Sequence, residues 1–328
     1  MSEPGTLALV PEPRESPEPT PGRAEPAGTP PQRAGARRDG AGPANGLPVA
    51  AFDLDRTLIY SAKALYLDSP GVAGPDAAGG AASPRLVVSE LYEGLPLSFM
   101  TRDAESLLLE LLDHAFLVPV TTRTRAQFNR VQLPPTRFAV TTNGGVLLHH
   151  GEPDGDWAAH VRGAVERGSA PLGEVLAHLG EKPAPGVQRI RTAEDLFAYA
   201  IVERAELPED YVPRLAAWCA ERGWVVSLQG RKLYCVPAAV TKEAAIAEVM
   251  DRVGATTLVA AGDSLLDQGL LEMADIALRP CHGELEAAGY VREGLTVTAT
   301  PGVRAGQEIV EAALAAVRSA ARAHTAVL

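Results

Sequence analysis

Two aspartates close the apolar run Val49-Ala50-Ala51-Phe52-Asp53-Leu54-Asp55-Arg56-Thr57-Leu58. Side chains alternate along a strand, so Asp53 and Asp55 project to one side. Acids held that close repel each other, and a divalent cation with hard oxygen ligands is the usual remedy. A strand that ends in a polar turn is the plainer alternative. A second pair, Asp263 and Asp267, follows another apolar run in Gly262-Asp263-Ser264-Leu265-Leu266-Asp267. Between the two lie Thr121, after the apolar run Phe116–Val120, and Lys242, after Thr241. A hydroxyl at the carboxyl end of a parallel strand sits where ligands of open α/β sheets bind. A helix cap would serve equally well for Thr121. A lysine in the first turn of a helix opposes the helix dipole, which invites a functional use, although exposed lysines are common there.

These groups need strands that end at them. Residues 48–53, 116–120 and 257–261 are near-continuous apolar runs, the pattern of a parallel sheet buried on both faces. Thr101, with Asp103 and Glu105 after it, opens a helix whose stripe is Leu107, Leu108, Leu111 and Leu112. After Leu58 an amphipathic stretch runs to Leu67, and Leu86 to Phe99 reads as extended chain turning at Glu93-Gly94. Arg137–Thr141 and Val146–His150 flank the turn Asn143-Gly144-Gly145. The middle of the chain changes pattern. Strands at Val187–Arg191 and Phe197–Val202, a helix at Asp210–Arg222 and a hairpin across Gln229-Gly230-Arg231 pair locally, which marks a second, α+β domain. An Ala-rich helix, Gly306–Arg322, is expected to lie on the sheet.

The 328 residues, 46% hydrophobic and 22% charged, suffice for two domains. The net charge of −11 and the lack of a basic stripe argue against a nucleic-acid partner. Cys219, Cys235 and Cys281 form no CxxC and read as buried filler in a reducing compartment. Leu7–Val10 is too short for a secretory leader, and no apolar run reaches the length of a membrane span. A cytoplasmic chain without a membrane partner is expected. Residues 1–46, rich in Pro, Gly and Ala, read as a disordered tail. Pro17-Glu18-Pro19-Thr20-Pro21 could dock on a partner as polyproline II, a solvated tail being the plainer reading. Asp68–Pro84 reads as a flexible surface loop.

In this order, the four groups resemble the four motifs of the haloacid dehalogenase-like (HAD) superfamily, over residues 48 to about 290. Phe52-Asp53-Leu54-Asp55-Arg56-Thr57-Leu58 matches the DxDx(T/V) form, and Gly262–Asp267 matches GDxxxD. The resemblance implies an α/β fold: a Rossmann-like parallel-sheet core, residues 47–142 and 238–328, with an inserted α+β C2-type cap, 143–237. That arrangement occurs in the Cof-like and sucrose-phosphatase-like branches, which also share the Asn143-Gly144 turn at the boundary. It further implies a Mg²⁺-dependent phosphatase acting on a small phosphorylated metabolite, with a sugar phosphate the expected class. Asp53 would attack phosphorus to give an aspartyl-phosphate. Asp55 would move the proton, with a pKa raised by the acidic cluster. Asp53, the Asp55 carbonyl and Asp263 would hold Mg²⁺, with Asp267 as a further ligand or an orienter of its waters. Thr57, Thr121 and Lys242 would bind the phosphoryl group. Arg56, Arg123, Arg189, Arg191, Arg231 and Lys232 are the candidate substrate contacts, a solvated surface being the plainer reading of those in the cap. The chain departs from the pattern at Arg56 and Thr122, where glycine is usual, and at Leu266, where the C2 branches carry Asn. A phosphomutase on the same scaffold, or a binding protein that uses the tail, would share most of these features.

Overall fold

The strand Val49–Asp53 is buried along its whole length, as its unbroken apolar run predicts. It lies in the middle of an eight-stranded sheet. Across that sheet the strands run Glu152–Pro153, Val146–His149, Phe138–Thr141, Phe116–Val120, Val49–Asp53, Leu258–Ala261, Ile276–Arg279 and Leu295–Val297. The six from Phe138–Thr141 onward pair in parallel, and each of the first two pairs antiparallel with the strand that follows it in this order. The computed structural model describes residues 46–327, except 70, 71, 73, 76–80 and 182. The proline-rich tail, up to residue 45, and much of the Asp68–Pro84 loop lie outside the described residues.

Alternation along the central strand sends its residues into two cores. Val49 and Ala51 join a cluster with Val118, Val120, Ala245, Ile246 and Val249, on the side of the helix Lys242–Val253. Ala50 and Phe52 join Leu108, Leu111, Val259, Ile309, Val310 and Leu314, under the helices Arg102–Leu111 and Val303–Val327. The Ala-rich helix thus covers one face, as expected, and starts three residues earlier than its periodicity suggests. Thr101 caps its helix as read, accepting from the Ala104 amide at 3.0 Å.

The second domain is a four-stranded antiparallel sheet, ordered Val187–Ala193, Phe197–Val202, Lys232–Pro237, Trp224–Gln229. Ala198, Ala200, Leu233 and Cys235 are cross-strand partners on one of its faces. They share a core with Val175, Leu179, Leu215 and Cys219 from the helices Leu172–Glu181 and Tyr211–Ala220. The residues between them, including Tyr199, Ile201, Lys232 and Tyr234, belong to the opposite face.

One expectation needs correction, and two elements were not foreseen. The boundary at 143 falls too early, because Val146–His149 and Glu152–Pro153 extend the large sheet. The turn at Asn143-Gly144 folds the chain back along the strand it has just left, so it ends no domain. The amphipathic stretch after Leu58 is not one regular element. It forms the short strand Tyr60–Ser61 and one turn of 3-10 helix, Ala62–Ala64, because Tyr60 pairs with Phe99 of the hairpin Leu86–Tyr92/Leu95–Thr101. The edge strand Leu295–Val297 carries too few apolar residues to be read from sequence.

Candidate active site

The carboxyl ends of three adjacent parallel strands bring the distant motifs together. Asp53 ends one strand, and Asp263 follows its neighbour, Leu258–Ala261. Thr121 follows the strand on the other side, Phe116–Val120. Lys242 starts the helix that crosses behind them. Its ammonium, 0% exposed, lies 2.6 Å from Asp53 Oδ1 and 2.5 Å from Asp267 Oδ1. The two carboxylates outweigh both burial and the unfavourable helix dipole, so the Lys242 pKa is raised.

Asp53, Asp263 and Asp267 are buried, with one carboxylate oxygen from each lying within 4.8 Å of the others. Burial first, then the neighbouring carboxylate of Asp267, push Asp53 up to about 7 against the pull of Lys242. Asp263 is likewise raised by burial and by both of its acidic neighbours. A buried oxygen triad with more negative than positive charge suits a divalent cation, so these residues fit Mg²⁺. Asp267 is also an anchor, because its Oδ2 accepts from the Ser264 amide at 3.0 Å and the Ser264 hydroxyl at 2.7 Å.

Two backbone devices set this geometry. At the turn after Phe138–Thr141, the Asn143 amide group donates to Val240 O at 2.8 Å, which ties the turn to the segment leading into Lys242. Gly144 has φ +97°, and a Cβ there would stand 2.0 Å from Thr241 O, so only glycine lets the two loops touch. The other device surrounds Arg56, which has φ +65°, a conformation that favours glycine. Its carbonyl accepts from His282 Nε2 at 2.9 Å, while His282 Nδ1 accepts from the Gly302 amide at 3.3 Å. Burial lowers the His282 pKa to about 4, so the ring stays neutral and can play both parts. The Arg56 side chain turns to Asp263, with Nε 3.4 Å from Oδ2.

Asp55 does not join the triad. Arg123 holds it in a two-pronged pair, Nε to Oδ2 at 2.7 Å and Nη2 to Oδ1 at 2.8 Å. Its side chain keeps 46% exposure. Burial would raise its pKa, but the Arg123 guanidinium wins and lowers it to about 2. The expected upward shift is therefore wrong. The acidic cluster lies on the other side, and the partner that decides is a cation. Arg123 also reaches the buried Glu90 at 2.8 Å, and Arg130 reaches it at 3.0 Å.

Thr57 and Thr121 are both fully buried. Thr57 Oγ1 has no hydrogen-bond partner among the described residues, and Thr121 Oγ1 accepts from the Arg123 amide at 3.2 Å. Arg123, Arg189, Arg191, Arg231 and Lys232 line one cavity, whereas Arg56 lines a smaller one beside Asp263. Sequence reasoning missed Glu90, Arg130 and His282. It also missed three polar contacts that join the cap to the core. Thr142 and the Arg125 amide donate to Glu194, at 3.1 and 2.8 Å. Glu284 accepts from Ser227 and Leu228 of the cap and from Leu265 of the core. The Thr122 hydroxyl lies 3.4 Å from the Tyr234 hydroxyl. The acids Glu194 and Glu284 and the cap residues Ser227, Leu228 and Tyr234 sit in no motif, and only their meeting in space joins the two domains.

No protein-family model and no curated protein sequence matches the chain. Solved structures do. The sucrose-phosphatase of Synechocystis sp. PCC6803, solved with sucrose and phosphate, aligns with a TM-score of 0.56 and 15% identity, over 83% of this chain and 98% of that one. A Thermoplasma acidophilum protein, 0175, aligns with a TM-score of 0.50 and 13% identity, over 82% and 99%. The HAD subclass IIB sugar phosphatase BT4131 aligns with a TM-score of 0.47 and 13% identity, over 81% and 97%. The chain shares the fold of the sucrose-phosphatase, here a parallel-sheet α/β core that carries a second domain built on an antiparallel sheet.

Proposed function

We propose that this protein is a Mg²⁺-dependent phosphatase that hydrolyses a small phosphorylated metabolite through an aspartyl-phosphate. The observation that carries this reading is the buried group of Asp53, Asp263, Asp267 and Lys242 at the carboxyl ends of adjacent strands. Asp53 would attack phosphorus, forming a carboxylate–phosphorus bond as the bond to the leaving oxygen breaks. Lys242 holds Asp53 in place and offsets the charge that gathers on the phosphoryl oxygens. Thr57 offers a buried hydroxyl without a protein partner, and Thr121 stands at the end of the neighbouring strand. Asp53 and Asp263 would hold Mg²⁺, with Asp267 behind them, and the bound ion would reduce the repulsion between carboxylate and phosphate. Asp55, kept as a carboxylate by Arg123, is set to accept a proton from the water that cleaves the intermediate. To protonate the leaving oxygen in the first step it must loosen from Arg123 and bind a proton. The likeness to a sucrose-phosphatase supports a sugar phosphate as the substrate class.

Asp53→Asn tests this reading. With Mg²⁺ and a panel of phosphate esters, the native chain should release inorganic phosphate, and the variant should lose at least about a thousandfold in kcat while staying folded. Full activity in the variant, or isomerised substrate without free phosphate, would count against it.

A further inference from the structure

A cavity of about 390 Å³ opens beside the acidic centre. One wall is the cap sheet, with Arg189, Arg191 and Lys232. The other belongs to the core, with Glu90 and Tyr92 of the hairpin Leu86–Tyr92/Leu95–Thr101 and with Arg130. The volume suits a small metabolite. The charge of the lining is unusual for this chain. The protein as a whole has 41 acidic and 30 basic residues. Among the described residues the cavity is lined by six cationic side chains and one carboxylate, Glu90. Glu90 is already engaged by Arg123 and Arg130, so it neutralises none of the cap cations.

Strand geometry aims the cap cations. Arg189, Ile201 and Lys232 stand side by side across three strands, and Arg191 pairs with Tyr199 in the next row. These positions share the sheet face opposite the cap helices. Arg189 and Lys232 make no ion pair among the described residues. Lys232 lies 5.9 Å from the centre of the Tyr199 ring. Two cations without an ion pair among the described residues, side by side on one wall, suit an anion.

The scissile phosphate does not explain that wall. Its receivers, Asp53, Lys242 and Asp263, do not line the cavity. The joint between cavity and centre is Arg123, which lines the first and grips Asp55 of the second. Asp55 is the group that exchanges a proton with the leaving oxygen, so the cavity lies on the leaving-group side. We infer that the substrate's leaving group carries a second anionic group, a carboxylate or a phosphate, bound in this cavity by Arg189 and Lys232 of the cap facing Arg130 of the core. The inference rests on the phosphatase reading and narrows its substrate class to small doubly anionic phosphoesters.

Matched esters test it. With Mg²⁺, the full chain is assayed for phosphate release from glucose 6-phosphate, 6-phosphogluconate and glucose 1,6-bisphosphate. The first has a neutral leaving group, and the others add a carboxylate or a phosphate. At least one anionic ester should exceed glucose 6-phosphate in kcat/KM by about tenfold, mainly through KM, as for a charge-assisted contact. Whichever leads identifies the anion. The Arg189→Ser/Lys232→Met double variant should lose about tenfold more kcat/KM on that ester than on glucose 6-phosphate. Arg189→Ser alone, at an exposed position, should show part of the same selective loss if the double variant folds poorly. Equal or better turnover of glucose 6-phosphate, or a double variant that weakens all three esters alike, overturns the inference and leaves the phosphatase reading standing. No phosphate from any ester overturns both.

Discussion

The acidic centre and the cationic cavity both crowd like charges, yet they bear the crowding differently. In the centre, Asp53 and Asp267 share one fully buried ammonium beside Asp263, and burial holds Asp53 and Asp263 far above their usual range. In the cavity, cap cations such as Arg189 reach solvent, where water screens them. A buried cluster persists only if every member is tied down, and here Ser264, Lys242 and the turn at Asn143 do the tying. A solvated cluster needs no such framework and can change composition at little cost to the fold. Under the proposed function, chemistry would be fixed in the core and selection carried by the cap. Asp55 and Arg123 stand at the border and belong to both.

Removing the counter-charge of the centre should give the largest effect. Lys242→Met leaves Asp53 and Asp267 facing each other without a cation, and should cost about 3–5 kcal/mol of stability, the range for one partner lost from a buried pair. Urea unfolding measures this. Mg²⁺ should restore more stability to the variant than it adds to the native chain. A change below about 1 kcal/mol without metal would mean that the centre is no more strained than the cavity.

Breaking the border comes next. Arg123→Met leaves the fully buried Glu90 with Arg130 and Ser98 alone, a loss of about 2 kcal/mol. It also frees Asp55. A carboxylate lowered from its ordinary 3.8 to about 2 contributes stability that is present above about pH 4 and lost as pH falls through about 2. The variant should lack that step in acid unfolding, while the native chain shows it.

How much of this was legible in the sequence follows the same division. The parallel strands, the acids at their ends and Lys242 were readable, because buried strands need unbroken apolar runs and the proposed chemistry would need those residue types at those ends. The cap was readable as α+β from its local pairing. The partner of Asp55 was not. Arg123 lies 68 residues away, and nothing local distinguishes an arginine that grips Asp55 from one that faces solvent. The direction of the Asp55 pKa shift failed for that reason. Glu90 escaped notice because its surroundings alternate like any hairpin strand, and its burial depends on two arginines from another loop.

The centre should respond to pH through Asp53. A carboxylate raised to about 7 holds a proton in the folded chain that the unfolded chain releases near 3.8. Without a divalent cation, its contribution to stability is therefore present at low pH and falls as pH rises from about 4 to about 7. Mg²⁺ must displace that proton, so its affinity should rise severalfold between pH 6 and pH 8 in calorimetric titrations. Asp53→Asn should flatten this dependence. An affinity independent of pH in the native chain would mean that Asp53 is ionised throughout.

Arg56 gives the smallest expected effect and the finest distinction. It is a cation placed inside the acidic centre, on a backbone with φ +65° that favours glycine. Arg56→Gly removes strain of about 1 kcal/mol and an ion pair to Asp263 of about the same size, so stability should hardly move. Metal affinity should move. The guanidinium 3.4 Å from Asp263 competes with any cation for that carboxylate, so Mg²⁺ should bind the variant a few-fold more tightly. If affinity instead falls, Arg56 acts by positioning Asp263, and its charge belongs to the framework of the centre along with Lys242.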